Sequence, residues 1–163
     1  MKKINIGIIG CGRISKKHFD ALDNLKDTYN LIAACDNNKE NLSDINNNIQ
    51  KYDDLDLMLD RNDLHLVSIC TPSFLHPEQT IRASNKKKHV ITEKPMALNY
   101  NDAKRMIEVT KKNNTKLFVV KQNRLNPTIL KLKNAIDNNK FGKIYFVQFN
   151  VFWTRPQSYY DMD

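Results

Sequence analysis

The feature that most constrains this chain is a glycine pair, Gly10 and Gly12, set between an apolar run and an amphipathic one. Ile4 to Ile9 reads as a buried strand ending in glycine. Ile14, His18, Ala21, Leu22 and Leu25 recur at helical spacing and predict an amphipathic helix over 13–28. The join, Gly10-Cys11-Gly12-Arg13-Ile14-Ser15, fits the Gly-x-Gly-x-x-Gly turn of a dinucleotide-binding strand–helix unit. Gly10 permits the tight turn and Gly12 lets the backbone approach a pyrophosphate. The helix start adds unpaired amides and the positive end of a dipole. Ser15 stands where the third glycine or an alanine is usual, and is small enough for close helix–strand packing.

Asp36 ends the next apolar strand, Leu31 to Cys35, 24 residues after Gly12. A carboxylate there accepts hydrogen bonds from both hydroxyls of an adenosine ribose and repels a 2′-phosphate. Its neighbours Asn37 and Asn38 offer no arginine to rescue one. NAD is therefore expected over NADP. The alternative role for Asp36 is a turn or helix cap.

The alternation continues. A short helical stretch at Leu55 to Leu59 leads to a strand at Leu64 to Cys70. Pro77 opens a helix that runs to about Asn85, and His89 to Thr92 forms a further strand. Ala103, Met106, Ile107 and Thr110 mark another helix face, and Leu117 to Val120 another strand. Alternating strands and helices imply an α/β fold, with a doubly wound parallel sheet covered on both sides. After Val120 the pattern changes. Asn126-Pro127 starts a helix with Ile129, Leu132 and Ile136 on one face. From Lys143 to Thr154 the residues alternate, with Tyr145, Val147, Phe149, Val151 and Trp153 together, which predicts a long half-buried strand. The expected division is a Rossmann domain at 1–121 and, at 122–163, the start of an α+β C-terminal domain for substrate and oligomerisation. One helix and one strand cannot bury a core of their own, so the second domain is expected to be truncated. The alternative is a complete small protein whose last strand packs on its own sheet.

Composition narrows the class. Hydrophobic and charged fractions of 40% and 27% are those of a globular protein, and no run approaches the ~20 apolar residues of a membrane span. The start is too short and glycine-punctuated for a signal peptide, so a cytoplasmic location and no membrane partner are expected. Cys11, Cys35 and Cys70 lack paired spacing, which predicts buried thiols and no metal site. The net charge of +8 favours anionic ligands generally. With no aromatic–basic stripe or helix-turn-helix, no nucleic-acid partner is expected. Lys86-Lys87-Lys88 reads as a solvated helix end.

Two further segments carry a family resemblance: Thr71-Pro72-Ser73-Phe74-Leu75-His76, and Lys88-His89-Val90-Ile91-Thr92-Glu93-Lys94-Pro95-Met96-Ala97. With the glycine turn they resemble the Gfo/Idh/MocA family of sugar oxidoreductases. Gln122-Asn123-Arg124-Leu125-Asn126-Pro127 and Trp153-Thr154-Arg155-Pro156-Gln157-Ser158-Tyr159-Tyr160-Asp161 resemble one branch of it. That branch oxidises the 3-hydroxyl of UDP-N-acetylglucosaminuronic acid during lipopolysaccharide and related surface polysaccharide synthesis.

The resemblance implies roles for particular residues. Gly10, Gly12, Arg13 and Ile14 would surround the pyrophosphate of NAD, and Asp36 the adenosine ribose. Thr71, Pro72, Leu75 and His76 would line the middle of the groove, Glu93 would reach the nicotinamide ribose, and Gln122 would also touch the cofactor. Lys94 would stand at the hydride-transfer centre, before a bond to Pro95 that is commonly cis. Arg124, Trp153, Arg155 and Tyr159, with Lys94, would contact a nucleotide-sugar substrate, although a sheet core and its rim explain Trp153, Arg155 and Tyr159 as well. The usual acid–base histidine of the family would lie beyond Asp163, so residues 1–163 alone are expected to bind NAD but to turn over little or nothing. The resemblance also implies a homo-oligomer formed through the second domain. His18 reads as a packed core histidine whose ring nitrogens need partners, and His76 alternatively as a cap on the helix at Pro77. The family usually has glycine where this chain has Lys87, so a left-handed backbone there is expected to cost on the order of 1 kcal/mol. Another sugar or inositol dehydrogenase, or a non-catalytic NAD-binding redox sensor, are the competing functions.

Overall fold

The computed structural model describes residues 3–161. The chain divides into two compact units, Met1–Lys121 and Gln122–Asp163. Among the described residues of the first, six strands form one parallel sheet: β1 (Ile4–Ile9), β2 (Tyr29–Cys35), β3 (Gln50–Tyr52), β4 (Leu66–Ile69), β5 (His89–Thr92) and β6 (Leu117–Val119). Their order is β3-β2-β1-β4-β5-β6, with every pair parallel. This is the Rossmann arrangement, in which strand order reverses between β1 and β4 and leaves a crevice at the carboxyl ends.

Side-chain alternation along the strands builds a core on each face. Ile9, Ala33, Val67 and Ile69 pack with Met58, Leu59 and Ala83 on one face. Ile8, Ala34, Cys11 and Cys70 pack with Leu42, Phe19 and Leu22 on the other. The first face is covered by α2 (Leu55–Leu59) and α3 (His76–Asn85), and the second by α1 (Ser15–Asn24). A longer helix, α4 (Tyr100–Lys112), packs beside α3, buries Met106 and Thr110, and is capped by the Asn99 side chain, which accepts from the Asp102 amide at 3.0 Å.

Several expectations are corrected at the level of elements. The predicted helix over 13–28 is shorter, because Leu25 already leaves helical geometry. The strand β3, only Gln50-Lys51-Tyr52, was not predicted. It is an edge strand with little apolar signal, held by its register against Ala33, Ala34 and Cys35 of β2. Lys87 does adopt the left-handed conformation, with φ +62°. The Lys87 amide donates to Ser84 O at 2.9 Å and the Lys88 amide to Ala83 O at 2.9 Å, which closes α3 in the usual paired C-terminal motif despite the side chain.

The second unit holds α5 (Pro127–Asp137) and a short α6 (Gln157–Tyr160). Asn126 precedes α5, but its side chain makes no capping bond. The predicted strand from Lys143 to Thr154 is not one: no ladder pairs it among the described residues. Both sets of alternating side chains are open, Val151 and Trp153 on one and Phe146 and Phe152, 94% exposed, on the other. Alternation records two faces, but a strand exists only where a neighbour takes up its amides and carbonyls. Among the described residues no helix is long and apolar enough to cross a membrane.

Candidate cofactor groove and active site

The site is built at the carboxyl ends of the central strands. The Gly10 amide donates to Cys35 O at 2.8 Å and the Cys70 amide to Ile9 O at 2.7 Å, so the tips of β1, β2 and β4 are tied together. Gly10 has φ +83°, and a Cβ there would lie 2.7 Å from Thr71 Cγ2 and 2.8 Å from the Thr71 amide nitrogen. Glycine is therefore required both by conformation and by space. Gly12 differs, since a Cβ there would meet nothing within 4 Å. The backbone at Gly12 is therefore open to close approach by a ligand.

Ser15 turns out to be more than small. Fully buried, its hydroxyl donates to Gly12 O at 2.6 Å and stitches the helix start to the turn. No side chain caps the first turn of α1, and no acidic residue lies in it, so no carboxylate of the helix itself offsets its positive end. Asp36 closes the other side. Its Oδ2 accepts from the Cys11 amide at 2.7 Å and from Asn41 Nδ2 at 3.1 Å, and its Oδ1 from the Asn38 amide at 2.8 Å. Asp36 thus does cap a turn, and it lines the groove as well.

That groove, about 600 Å³, brings together Gly10, Gly12, Asp36, Thr71, Pro72 and Leu75 of the sequence-predicted site. Its shape suits an extended dinucleotide: a bare glycine turn beside a helix N-terminus, with a carboxylate at one side. Phe74, Leu55, Gln79 and Arg82 also line it and were not predicted. Gln79 follows Leu75 by one helical turn on α3, and its Oε1 receives the Thr71 hydroxyl at 2.6 Å. Arg82 is committed to Asp56 at 2.7 Å, which raises the pKa of its guanidinium further. Arg13 lies on the opposite side of the turn, on a neighbouring cavity that it shares with Gly12 and Lys16, and Ile14 is exposed.

His76 is placed differently from expectation. It is 1% exposed and lies outside the groove lining. Nδ1 lies 2.8 Å from Pro95 O and Nε2 lies 2.8 Å from Thr71 O, so the ring joins the backbones of two loops. It does not cap α3, whose first turn has no side-chain cap. The bond between Lys94 and Pro95 is cis. Glu93 is buried, and its Oε2 accepts from the Lys94 amide at 3.0 Å, while the Lys94 side chain is exposed. His18 has the partners its nitrogens require, Ser68 Oγ at 2.8 Å and Glu93 Oε1 at 3.0 Å. It belongs to a polar network under the site, and not to an apolar core.

The three cysteines gather around the same turn, all buried and unpaired. Burial pushes the thiols of Cys11 and Cys70 up to about 12 and that of Cys35 to about 11, with the Asp36 charge adding to the shifts of Cys11 and Cys35. They are packing groups and poor nucleophiles at neutral pH.

The remaining predicted residues belong to the second unit. Gln122 and Arg124 are exposed in a short 3-10 turn. The Arg155 guanidinium stacks 3.7 Å from the centre of the Trp153 ring and 4.6 Å from that of Tyr159.

Comparison with known proteins agrees with this geometry. The family of Gfo/Idh/MocA oxidoreductases with an NAD-binding Rossmann fold matches residues 4–121, and the chain belongs to it. The WlbA dehydrogenase of Bordetella pertussis, solved with NADH and UDP-GlcNAcA, is 42% identical with a TM-score of 0.93, over 98% of this chain and 50% of that one. The WlbA dehydrogenase of Chromobacterium violaceum, solved with the same two ligands, is 44% identical with a TM-score of 0.94, over 99% and 47%. Among curated relatives, the myo-inositol 2-dehydrogenase of Thermotoga maritima is 34% identical over 86% of this chain and 42% of its own length. The chain spans about half the length of the relatives it matches.

Proposed function

We propose that the protein uses NAD to oxidise the 3-hydroxyl of UDP-N-acetylglucosaminuronic acid in surface polysaccharide biosynthesis. The observation that carries this reading is where the similarity extends. The two WlbA structures match 98% and 99% of the chain, second unit included, at 42% and 44% identity. The solved inositol dehydrogenases match 86–88% at 28–29%.

In this reading the chain divides its work as follows. Residues 1–121 form the NAD-binding domain and 122–163 belong to a substrate and oligomerisation domain. Gly10, Gly12, Arg13 and Ile14 hold the pyrophosphate, with the amides of the α1 start directed at its charge. Asp36 takes the adenosine ribose hydroxyls and disfavours a 2′-phosphate. Thr71, Pro72 and Leu75 shape the middle of the groove, braced by Gln79 and, from beneath, by His76. Glu93 receives the nicotinamide ribose, and Gln122 adds a cofactor contact. NAD, when bound, supplies the hydride acceptor. The Lys94 ammonium stands by the sugar hydroxyl, stabilises the oxyanion that develops as hydride leaves, and takes part in moving the hydroxyl proton. Arg124, Trp153, Arg155 and Tyr159 contact the nucleotide sugar. The net charge of +8 serves these anionic ligands and no nucleic acid. The protein works in the cytoplasm as a homo-oligomer.

The test is a panel assay of the full-length protein, following NADH formation with UDP-N-acetylglucosaminuronic acid, other nucleotide sugars, glucose 6-phosphate and free inositols. Preferential oxidation of an inositol would replace this reading with the relation to the Thermotoga maritima enzyme. Lys94→Ala should lower turnover by about 10²-fold or more, as expected for a group acting on the reacting proton. Unchanged function in the cell with that variant would favour a redox sensor.

A further inference from the structure

We propose that His18 is a positioning residue that holds Glu93 for the nicotinamide half of the cofactor and ties the phosphate-binding helix to the loop carrying Lys94. The inference rests on the cofactor reading above and concerns His18 and Ser68, to which that reading gave no role.

The argument begins with a polar residue where the sheet wants an apolar one. β4 reads Leu66-Val67-Ser68-Ile69 and is buried throughout. Val67 and Ile69 join the core on the α2–α3 face. Ser68, also buried, points to the α1 face, where Cys70 and Ile8 are its apolar companions. Burying a hydroxyl there costs stability unless it is bonded, and its partner is His18 Nδ1 at 2.8 Å. The opposite ring nitrogen, Nε2, lies 3.0 Å from Glu93 Oε1. Glu93 itself is only 7% exposed, and its second oxygen accepts the Lys94 amide at 3.0 Å.

An ionised carboxylate only accepts, so the nitrogen facing it carries hydrogen. In the neutral ring Nδ1 is then the acceptor and the Ser68 hydroxyl donates to it, which fixes one tautomer. Both Glu93 oxygens are held by donors, one from α1 and one from its own loop. Each oxygen retains lone-pair capacity for a ribose hydroxyl. His18 sits one turn beyond Ser15, which anchors the glycine turn through Gly12 O. The same helix therefore presents its N-terminus to the pyrophosphate and steadies the carboxylate next to Lys94. Ordering both in advance lowers the cost of binding the two halves of one ligand.

The experiment measures affinities of the whole chain for NADH and for ADP, which lacks the nicotinamide ribose, by calorimetry. His18→Leu should weaken NADH about tenfold, the loss of one charge-assisted bond, and leave ADP within about twofold. His18→Gln, which keeps a donor toward Glu93, should recover most of the loss. Ser68→Ala removes one atom, is the milder change to folding, and should weaken NADH selectively as well. Combined with His18→Leu it should add nothing, because the two act as one unit. Equal losses for NADH and ADP would make His18 a packing residue and overturn the inference, as would additive losses or an unchanged NADH affinity. A wild-type chain that binds neither ligand would overturn the cofactor reading itself, and this inference with it.

Discussion

Asp36 Oδ2 accepts the Cys11 amide at 2.7 Å, so the carboxylate suited to reading the ribose is also a structural part of the glycine turn. In the proposed cofactor reading, selection and phosphate binding are thereby coupled in one side chain. Asp36→Ala removes the ribose acceptor and frees the Cys11 amide, so NADH affinity should fall by about tenfold to a hundredfold, the equivalent of one or two charge-assisted bonds. Asp36→Asn retains an acceptor and loses the charge, and should narrow the preference for NADH over NADPH. Isothermal titration of both cofactors against the three chains checks this. A preference that does not move in Asp36→Asn contradicts the assignment.

The two glycines of the turn should respond oppositely to the same substitution. Gly10→Ala forces a side chain into φ +83° and to within 3 Å of Thr71 and Cys70 backbone atoms, so the fold should lose about 2 kcal/mol or more. Gly12→Ala adds a methyl to open space and should leave stability within about 0.5 kcal/mol while weakening NADH, because the methyl occupies the approach to the backbone. Chemical denaturation gives the first quantity and calorimetry the second. Loss of stability without loss of affinity in Gly12→Ala would remove the phosphate from this turn.

What was legible in the sequence, and what was not, follows the range of the interactions. The turn at Gly10 to Ser15, the buried strand before it and Asp36 after β2 are local patterns. Local patterns survive without a partner. β3 is not local: Gln50-Lys51-Tyr52 becomes a strand because β2 presents a free edge. The bond between His18 and Glu93 spans 75 positions and depends on a right-handed crossover bringing α1 over β4 and β5. His76 was singled out by its motif, but only the fold shows that it braces Thr71 and Pro95 from below. Lys143 to Thr154 erred the other way, since its alternation was real and its ladder partner absent among the described residues.

The buried thiols should make the fold lose stability at alkaline pH. Each of Cys11, Cys35 and Cys70 is raised from about 9 to 11 or 12 in the folded chain. The folded state then keeps protons that the unfolded state gives up, so the stabilising contribution is complete below pH ~9 and is lost as pH rises toward 11–12. Each thiol contributes a slope of about 1.4 kcal/mol per pH unit within that window. Lys88 opposes one such slope, because burial of its ammonium lowers its pKa. Denaturation midpoints should therefore fall steeply above pH 9, and Cys70→Ala should flatten the fall by about one thiol's slope. A profile that stays level to pH 11 contradicts the burial of these thiols.

Lys87 offers a gain instead of a loss. It follows α3 with φ +62°, where a side chain costs roughly 1–2 kcal/mol relative to glycine. The hydrogen bonds that close the helix, from the Lys87 and Lys88 amides to Ser84 O and Ala83 O, are all backbone and survive substitution. The Lys87 ammonium does reach Asn113 Oδ1 at 3.1 Å, but an exposed bond of this kind contributes little. Glycine also adds freedom to the unfolded chain, which takes back part of the gain. Lys87→Gly should on balance stabilise the first unit by about 0.5–1 kcal/mol and leave NADH affinity unchanged, since the turn lies at the amino end of β5, away from the groove. Thermal unfolding and calorimetry on the same two chains check both halves. A destabilised glycine variant would mean that the lysine contact outweighs the backbone strain at this turn.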